Sequence, residues 1–262
     1  MSIHPTAIVV DGAQVHESVE VGPFSLIEAG AVIGSNCRIE SNVRIYSHAT
    51  LGSDNRVCHG ATIGADPQDI SYTPDRAKRL TVGSHNVFRE YVNVSHGVKE
   101  DHGTIIGDHN LFMINSHVAH DCVVGDYNIF VNTATLAGHV EVQHHCVLSA
   151  HTAVHQFCRV GAYSMLAGIG GARQDIPPYA MANGQYARFV GLNLVGLKRN
   201  GFTPEQRTAI KRAYRIFYDS GLTPAQAVEQ LRAEPVDPAV ATIVEFIESS
   251  QRGLITRRGK DD

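Results

Sequence analysis

The sequence lacks any stretch that could cross a membrane or direct export. No apolar run approaches the roughly 20 residues that a membrane-spanning helix requires. The first ten residues, MSIHPTAIVV, have neither the positively charged start nor the long apolar stretch of a signal peptide. We therefore predict a cytoplasmic protein.

The sequence also lacks an excess of positive charge and an even number of cysteines. The formal net charge is −4, which does not favour a basic surface that binds nucleic acid. The five cysteines make an odd count, so we expect reduced thiols in the core instead of a disulfide framework. With 262 residues, the chain can hold one long domain and a small appendage.

What the sequence does contain is a large apolar residue at every sixth position. An amphipathic helix repeats about every 3.6 residues and a half-buried strand about every two, so neither explains this period. The residue two positions earlier is usually small, and the next residue is often glycine. The sixth-position residues form three runs: Val9, Val15, Val21, Ile27, Ile33, Ile39, Ile45, Leu51, Val57 and Ile63; Val82, Phe88 and Val94; Ile106, Phe112, Val118, Val124, Phe130, Leu136, Val142, Leu148, Val154, Val160 and Leu166.

This pattern predicts an all-β solenoid, a parallel β-helix of hexapeptide repeats. Side chains two apart in a strand face the same way, so large and small residues alternate around a narrow core. We expect the following glycine to permit a sharp bend. Three hexads make one turn of a triangular prism, so residues 18 apart should stack at roughly 4.8 Å.

Two polar stretches, residues 65–79 and 95–103, interrupt the hexads and have no inward register. We predict that they are loops leaving the scaffold, where function often lies. The hexads end near Gln174. We therefore assign residues 1–190 to the β-helix with its two loops and residues 191–262 to a C-terminal helical domain.

Capping signals define three helices in the C-terminal region. Thr203, Thr223 and Asp237 can each cap a helix, and each precedes a proline that suits the first turn. The first helix should end near Asp219 and the third before Gly253. The last residues, RRGKDD, should be frayed.

Histidines are concentrated where the hexads bring them together. Seven of the fifteen lie between residues 117 and 155. The spacing of 18 predicts one column of His120, Gly138 and Gln156, beside a column that contains Asp121 and His139. A histidine can act as a general base near neutral pH, with an aspartate to orient it. A glycine N–H could stabilise an oxyanion, so these are the parts of an acyl-transfer site.

Two other classes of function remain open at this point. Three histidines on such a prism can bind zinc across a subunit interface, as in carbonic anhydrases of the same architecture. The spacing here matches no helical or paired-cysteine zinc motif. A non-catalytic solenoid used for binding or assembly is the second alternative.

Six segments carry a resemblance to a known family: PQDI at 67–70, HVAHDC at 117–122, ATLAGHV at 134–140, TAVHQF at 152–157, DIPPY at 175–179 and GLKRNGF at 196–202. On these motifs the chain resembles the UDP-N-acetylglucosamine O-acyltransferases that begin lipid A synthesis. The resemblance implies a left-handed coil, contrary to the usual right-handed crossover, and a homotrimer with active sites between subunits. It implies no metal and no cofactor, because acyl carrier protein delivers the acyl group on its phosphopantetheine.

The resemblance also implies roles for individual residues. His120 takes the proton from the glucosamine 3-hydroxyl, Asp121 supports it, and the Gly138 amide holds the oxyanion. The hydroxyl attacks the thioester of a 3-hydroxyacyl carrier protein. The implied substrate-binding residues are Gln68, Asp69, His117, His139, His155, Gln156, Asn193 and Arg199.

The resemblance and the spacing of charged residues predict two further functional surfaces, an acyl groove and a docking patch. Gly168, with Ala150 below it, lies where side-chain bulk gates the family's acyl groove, so we expect a long chain to be accepted. Positively charged residues on one helical face are interpreted as a docking patch for the acidic carrier protein, with an ordinary solvated face as the alternative. They are Arg207, Lys211 and Arg215 on that face, with Arg212 adjacent to it.

The chain departs from the family's pattern at sugar and nucleotide contacts. Ser71 replaces an expected lysine, Val195 a glutamate and Asn200 an arginine, and Ser95 with His96 replaces a His-Arg pair. An alternative acceptor, a UDP-3-amino sugar or another nucleotide sugar, is therefore left open.

Overall fold

Each hexad contributes one short strand to the wall of the solenoid. The computed structural model of the chain describes residues 2–233 and 237–257. The predicted tail falls mostly at residues 258–262, outside the described residues. The strands, β1 to β28 in chain order, are Ser2–Ile3, Ile8–Val9, Gln14–Val15, Glu20–Val21, Leu26–Ile27, Val32–Ile33, Arg38–Ile39, Arg44–Ile45, Ala49–Leu51, Arg56–Val57, Thr62–Ala65, Leu80–Val82, Val87–Phe88, Asn93–Ser95, Thr104–Ile106, Leu111–Phe112, His117–Val118, Val123–Val124, Ile129–Phe130, Thr135–Leu136, Glu141–Val142, Val147–Leu148, Ala153–Val154, Arg159–Val160, Met165–Leu166, Gly171–Ala172, Ala180–Asn183 and Arg188–Leu192.

These strands form three parallel sheets, one for each face of the prism. Through the solenoid, strands three apart in sequence order are neighbours in a sheet. His117 pairs with Thr135, so residues 18 apart do stack. The antiparallel pair β27 and β28 follows at the C-terminal end. The predicted hexapeptide β-helix is therefore confirmed.

The two interruptions are loops that leave the same edge of the prism. Loop 1, residues 66–79, lies between β11 and β12 and contains a short 3₁₀ helix at Pro74–Arg76. Loop 2, residues 96–103, lies between β14 and β15. Both join the second sheet to the third, as do the turns that contain Asp121 and His139. The repeat thus brings both loops and the histidine columns to one edge.

The core is filled as the hexads predict, with one addition. The sixth-position residues from Val21 onward are buried, and Phe88, Phe112 and Phe130 stack with ring centroids 4.9 and 4.7 Å apart. A ladder of buried asparagines occupies the small inward position in four coils. The Asn86 and Asn110 side-chain amides each donate to the preceding asparagine of the ladder. The Asn128 side-chain oxygen accepts from Cys146 N, whereas its Nδ2 has no partner among the described residues. The ladder consists of Asn55, Asn86, Asn110 and Asn128.

The expected role of glycine at the corners is wrong for most of the repeats. Gly34 and its equivalents do not have a positive φ; the left-handed residue comes two positions later, as at Asn36 with φ 58°. Gly64 is an exception, with φ 85°. A Cβ on Gly34 would lie 2.7 Å from the backbone of Gly52 in the next coil. Glycine is required there because adjacent coils approach closely, not because of its φ.

The C-terminal region contains the three predicted helices and a shorter one before them. The helices are α1 at Leu194–Arg199, α2 at Pro204–Asp219, α3 at Pro224–Arg232 and α4 at Pro238–Glu248. Thr203 and Thr223 each form a capping box, and the Asp237 side chain accepts from a first-turn N–H. Residue 190 lies within β28, and a division between the two domains at this residue stays a prediction. Among the described residues, no helix has the length and apolar character needed to span a bilayer.

The cysteines are buried and unpaired, as expected. Burial raises the pKa of Cys122 and Cys146 to about 12, so both thiols stay protonated near neutral pH. They act as small apolar side chains in the core.

We predict that Gly34→Ala destabilises the protein by about 1–3 kcal/mol, since the added methyl group has no space between coils. Thermal denaturation should show a lower Tm. Thr50→Ala, an exposed change on the neighbouring strand, is the control and should leave the Tm nearly unchanged. Equal Tm values for Gly34→Ala and the parent would contradict the close-approach explanation.

Candidate active site

His120 and Asp121 form a hydrogen-bonded pair at the edge that carries both loops. The His120 Nδ1 and Asp121 Oδ2 atoms are 2.8 Å apart. An ionised carboxylate only accepts hydrogen bonds, so we assign the proton to Nδ1, which leaves the Nε2 lone pair available as a base. The Asp121 side chain is fully buried and that of His120 is nearly so.

Loop 2 encloses Asp121 with backbone donors. The N–H groups of Val98, Lys99 and Glu100 all donate to Asp121 Oδ1, at 3.0–3.1 Å. Burial alone would raise the pKa of Asp121, but the hydrogen bonds from His120 and from these N–H groups outweigh it and hold the pKa well below its usual value. Asp121 is therefore ionised at neutral pH and can stabilise a protonated imidazole.

Gly138 lies directly against the His120 ring. A Cβ on Gly138 would be 2.7 Å from His120 Cε1 and 2.8 Å from Nε2, so only glycine permits this approach. The Gly138 carbonyl accepts from Phe157 N in the next coil. In the described part of the chain, the Gly138 N–H donates to no acceptor. A free backbone donor thus lies beside the base, as an oxyanion site requires.

His139 completes an aromatic wall beside this pair. Its ring stands perpendicular to His120 and stacks on Phe157 at a centroid distance of 4.5 Å. Burial lowers the pKa of His139, which favours its neutral form. A cavity of about 320 Å³ is lined by His139, Phe157, Glu100 and His102 among others.

The predicted sugar-side residues occupy loop 1 and the adjacent strands. Asp69 Oδ2 is 2.9 Å from Lys99 Nζ of loop 2, and Gln68 beside it is exposed. His117 Nδ1 is 2.7 Å from Asn93 Oδ1, and burial lowers the pKa of His117. Whether these groups bind a sugar stays a prediction.

His155 and Gln156 are exposed in the coil after Gly138. The backbone bond from Phe157 N to Gly138 O places Gln156 one rung from the Gly138 N–H. His155 Nδ1 is 3.4 Å from an Arg252 guanidinium nitrogen. The C-terminal segment therefore reaches this edge, which the sequence did not predict.

The predicted nucleotide contacts differ in their surroundings. Asn193 is buried and caps α1: its Oδ1 accepts from Gly196 N, and its Nδ2 donates to Tyr163 O. Arg199 is exposed at the end of α1. Asn193 is thus already engaged within the fold, and both assigned roles stay predictions.

The residues predicted to line an acyl groove and those predicted to dock the carrier protein lie on two other surfaces. Gly168 stacks over Ala150, and a Cβ on Gly168 would meet only the Ala150 oxygen, at 3.5 Å. The docking residues Arg207, Lys211, Arg212 and Arg215 follow one another along α2. Lys211 and Arg215 line a cavity of about 300 Å³ together with Arg257.

The substituted positions have defined places in the structure. Ser71 donates to Asp69 Oδ1 from both its N–H and its hydroxyl, at 2.8 Å. His96 is fully buried and its Nε2 lies 3.4 Å from Asp66. Ser95 is buried in β14, Val195 is exposed in α1 and Asn200 caps the end of α1.

Comparison with known proteins gives consistent matches over the chain. The family model described as UDP N-acetylglucosamine O-acyltransferase, domain 2, matches residues 175–255, and the bacterial transferase hexapeptide model matches 30–65 and 103–138. An acyl-[acyl-carrier-protein]–UDP-N-acetylglucosamine O-acyltransferase of Thiobacillus denitrificans is 44% identical over 256 residues, 97% of this chain and 99% of its own. This chain belongs to the UDP-N-acetylglucosamine O-acyltransferase family.

Solved structures of the family agree with the fold. The UDP-N-acetylglucosamine acyltransferase of Francisella novicida matches with a TM-score of 0.94 and 35% identity, over 98% of this chain and 95% of its own. That of Bacteroides fragilis matches with a TM-score of 0.94 and 38% identity, over 97% and 99%. The resemblance inferred from the motifs is confirmed.

In this family member, three residues could also hold a metal ion. Within the described residues, His120, Asp121 and His139 form the group whose ligand atoms all lie within 4.8 Å of one another. The His139 Nε2 atom is buried, has no hydrogen-bond partner among the described residues and lies 3.8 Å from Asp121 Oδ2. However, Asp121 Oδ2 already accepts from His120, so an ion would have to displace that bond.

Sequence reasoning missed the contribution of loop 2. Its backbone N–H groups, the Lys99 side chain and the Glu100 carboxylate, 3.3 Å from His139 Nδ1, all contact predicted site residues. Any residue except proline can supply a backbone donor, so no residue type signals this role. The one signal in the sequence was Ser71: because it replaces an expected lysine, another residue could supply the positive charge beside Asp69.

We predict that Gly138→Ala lowers kcat by roughly 10²-fold, because the methyl group must displace the His120 imidazole. The thermal midpoint should be measured alongside activity to establish that the variant is folded. In a His120→Ala background the same substitution should have almost no further effect on kcat, since the clash is gone. An equal loss in both backgrounds would contradict the steric explanation.

Proposed function

We propose that the chain transfers a 3-hydroxyacyl group from acyl carrier protein to the 3-hydroxyl of UDP-N-acetylglucosamine, the first step of lipid A biosynthesis. The names of its relatives describe acyl transfer from acyl carrier protein to an oxygen of UDP-N-acetylglucosamine. The observation that carries the proposal for this chain is the His120–Asp121 pair beside the Gly138 N–H, which donates to no acceptor within the described residues. A base and an oxyanion donor at adjacent rungs suit acyl transfer.

The proposed reaction is general-base catalysis without a metal. His120 Nε2 removes the proton from the sugar hydroxyl as its oxygen attacks the thioester carbonyl. The Gly138 N–H stabilises the oxyanion of the tetrahedral intermediate, and ionised Asp121 stabilises the imidazolium. When the intermediate collapses, the C–S bond breaks and the pantetheine sulfur takes the proton back from His120, which yields an ester and a thiol.

The substrates are proposed to meet between subunits of a homotrimer in the cytoplasm. Asp69, Gln68 and His117 would position the sugar, and Arg199 would contact the nucleotide phosphates, for which a guanidinium is well suited. The positive residues of α2 would receive the acidic carrier protein. Support for this last role comes from Lys211 and Arg215, which are exposed and line one cavity.

A zinc-dependent activity is the second candidate, favoured by the grouping of His120, Asp121 and His139. Elemental analysis of the purified protein distinguishes the two. One zinc per active site, with transfer lost after chelation and restored by zinc, would support the second candidate. Transfer that persists in chelator would reject it.

The test of the proposed function is transfer from carrier proteins loaded with 3-hydroxyacyl chains of several lengths, read by mass spectrometry. We expect an ester product with UDP-N-acetylglucosamine. In His120→Ala, kcat should fall by roughly 10²–10⁴-fold, the usual contribution of a general base. His109→Ala, an exposed histidine on another edge, is the matched control.

Product only with the 3-amino analogue, as an amide, would establish the alternative acceptor. No transfer to either acceptor, or full activity in His120→Ala, would reject the proposal.

We further predict that Gly168→Met shifts the preference to shorter acyl chains, because the side chain would extend into the space left open at this rung. Product distributions of the variant and the parent should be compared with an equal mixture of carrier proteins. The total rate with the shortest accepted chain should be retained. The same chain preference in both proteins would show that Gly168 does not line the groove.

A further inference from the structure

Lys99 contacts both halves of the proposed site. Its backbone N–H lies 3.1 Å from Asp121 Oδ1 and 3.2 Å from Oδ2. Its side chain extends the other way, to loop 1, where Nζ lies 2.9 Å from Asp69 Oδ2. One residue of loop 2 therefore links the carboxylate that orients the base to the carboxylate proposed to bind the sugar.

The environment of Asp69 shows why this contact matters. Oδ1 accepts from the N–H and the hydroxyl of Ser71, and Oδ2 faces Lys99. The hydrogen bond from Lys99 is the largest cause, with those from Ser71, of a pKa of Asp69 well below its usual value. Only 10% of the Asp69 side chain is exposed, against 43% for Lys99. Lys99 thus covers and fixes a carboxylate that Ser71 alone would hold through one oxygen.

Loop 1 has other links to loop 2, including the backbone bond from Lys78 N to Gly97 O at 2.8 Å, but none of them reaches Asp69. Lys78 pairs with Asp101 at 3.1 Å, but the Asp101 side chain is fully exposed, and such pairs contribute little. His96 lies near Asp66 and Tyr72 at the base of the loop. Neither contact touches Asp69, so neither sets the position of its carboxylate.

We propose that Lys99 is a positioning residue for the acceptor substrate, which sets Asp69 relative to the His120–Asp121 pair. In this chain the ammonium beside Asp69 comes from loop 2, whereas position 71, which the family's pattern assigns to lysine, is serine. The inference rests on the proposed function. A hydroxyl nucleophile must sit within about 3 Å of the base, and an error of about 1 Å can cost roughly 10²-fold in rate.

The test is Lys99→Met, which keeps the backbone donor and the apolar stem and removes the charge. We expect the KM for UDP-N-acetylglucosamine to rise roughly tenfold. The KM for the acyl carrier protein and the pH profile of kcat should stay unchanged, because the His120–Asp121 pair is intact. Lys99→Arg should retain most of the affinity. Lys78→Met, which removes the other lysine–aspartate pair between the loops, is the matched control and should change neither KM.

A second-site substitution separates this role from a merely structural one. Adding Ser71→Lys to Lys99→Met should restore the sugar-nucleotide KM, since the side chain at position 71 already reaches Asp69; adding Ser71→Met should not. Thermal denaturation of each variant establishes that it is folded. If Lys99→Met is unstable, Lys99→Gln replaces it in the same test.

An unchanged KM in Lys99→Met, an equal rise for both substrates, or no rescue by Ser71→Lys would overturn the inference while leaving the proposed function in place. A parent protein that transfers no acyl group would reject both.

Discussion

The rest of the site depends on one buried carboxylate, that of Asp121. It accepts the His120 Nδ1–H through one oxygen and the N–H groups of Val98, Lys99 and Glu100 through the other. An unpaired buried charge would be costly, and here the loop supplies the hydrogen bonds that make burial tolerable. The same carboxylate therefore holds the loop 2 backbone and orients the imidazole.

The solenoid makes this arrangement possible because its repeat is rigid. Asp121, His139 and Phe157 occupy equivalent left-handed positions, with φ of 59–64°, on three successive rungs of one edge. Their side chains consequently stack in a fixed order. Both loops emerge from this edge in the preceding coils, so they extend over the site. The same close stacking that requires Gly34 in the wall requires Gly138 beneath the imidazole.

The sequence was sufficient to predict the fold, the column that contains His120 and Gly138, and the three capped helices. A period of six is informative because few structures share it. Two features of the structure could not be predicted from the sequence. The glycine at each corner was assigned to backbone conformation, because contacts between coils cannot be seen in a single hexad. The donors to Asp121 and the engaged amide of Asn193 come from a non-repetitive loop and a helix cap, where no period fixes the geometry.

The contact between Lys99 and Asp69 shows that the lysine beside this carboxylate can come from either loop. An ion pair between two loops depends on where the charges meet, not on which loop carries the lysine. Asp69 can keep an ammonium partner while position 71 is serine, because Lys99 contacts the other oxygen of the same carboxylate. The new position adds a constraint that residue 71 cannot impose, since the Lys99 backbone also holds Asp121. Departures from the pattern around Asp69 are therefore compatible with an unchanged His120–Asp121 pair.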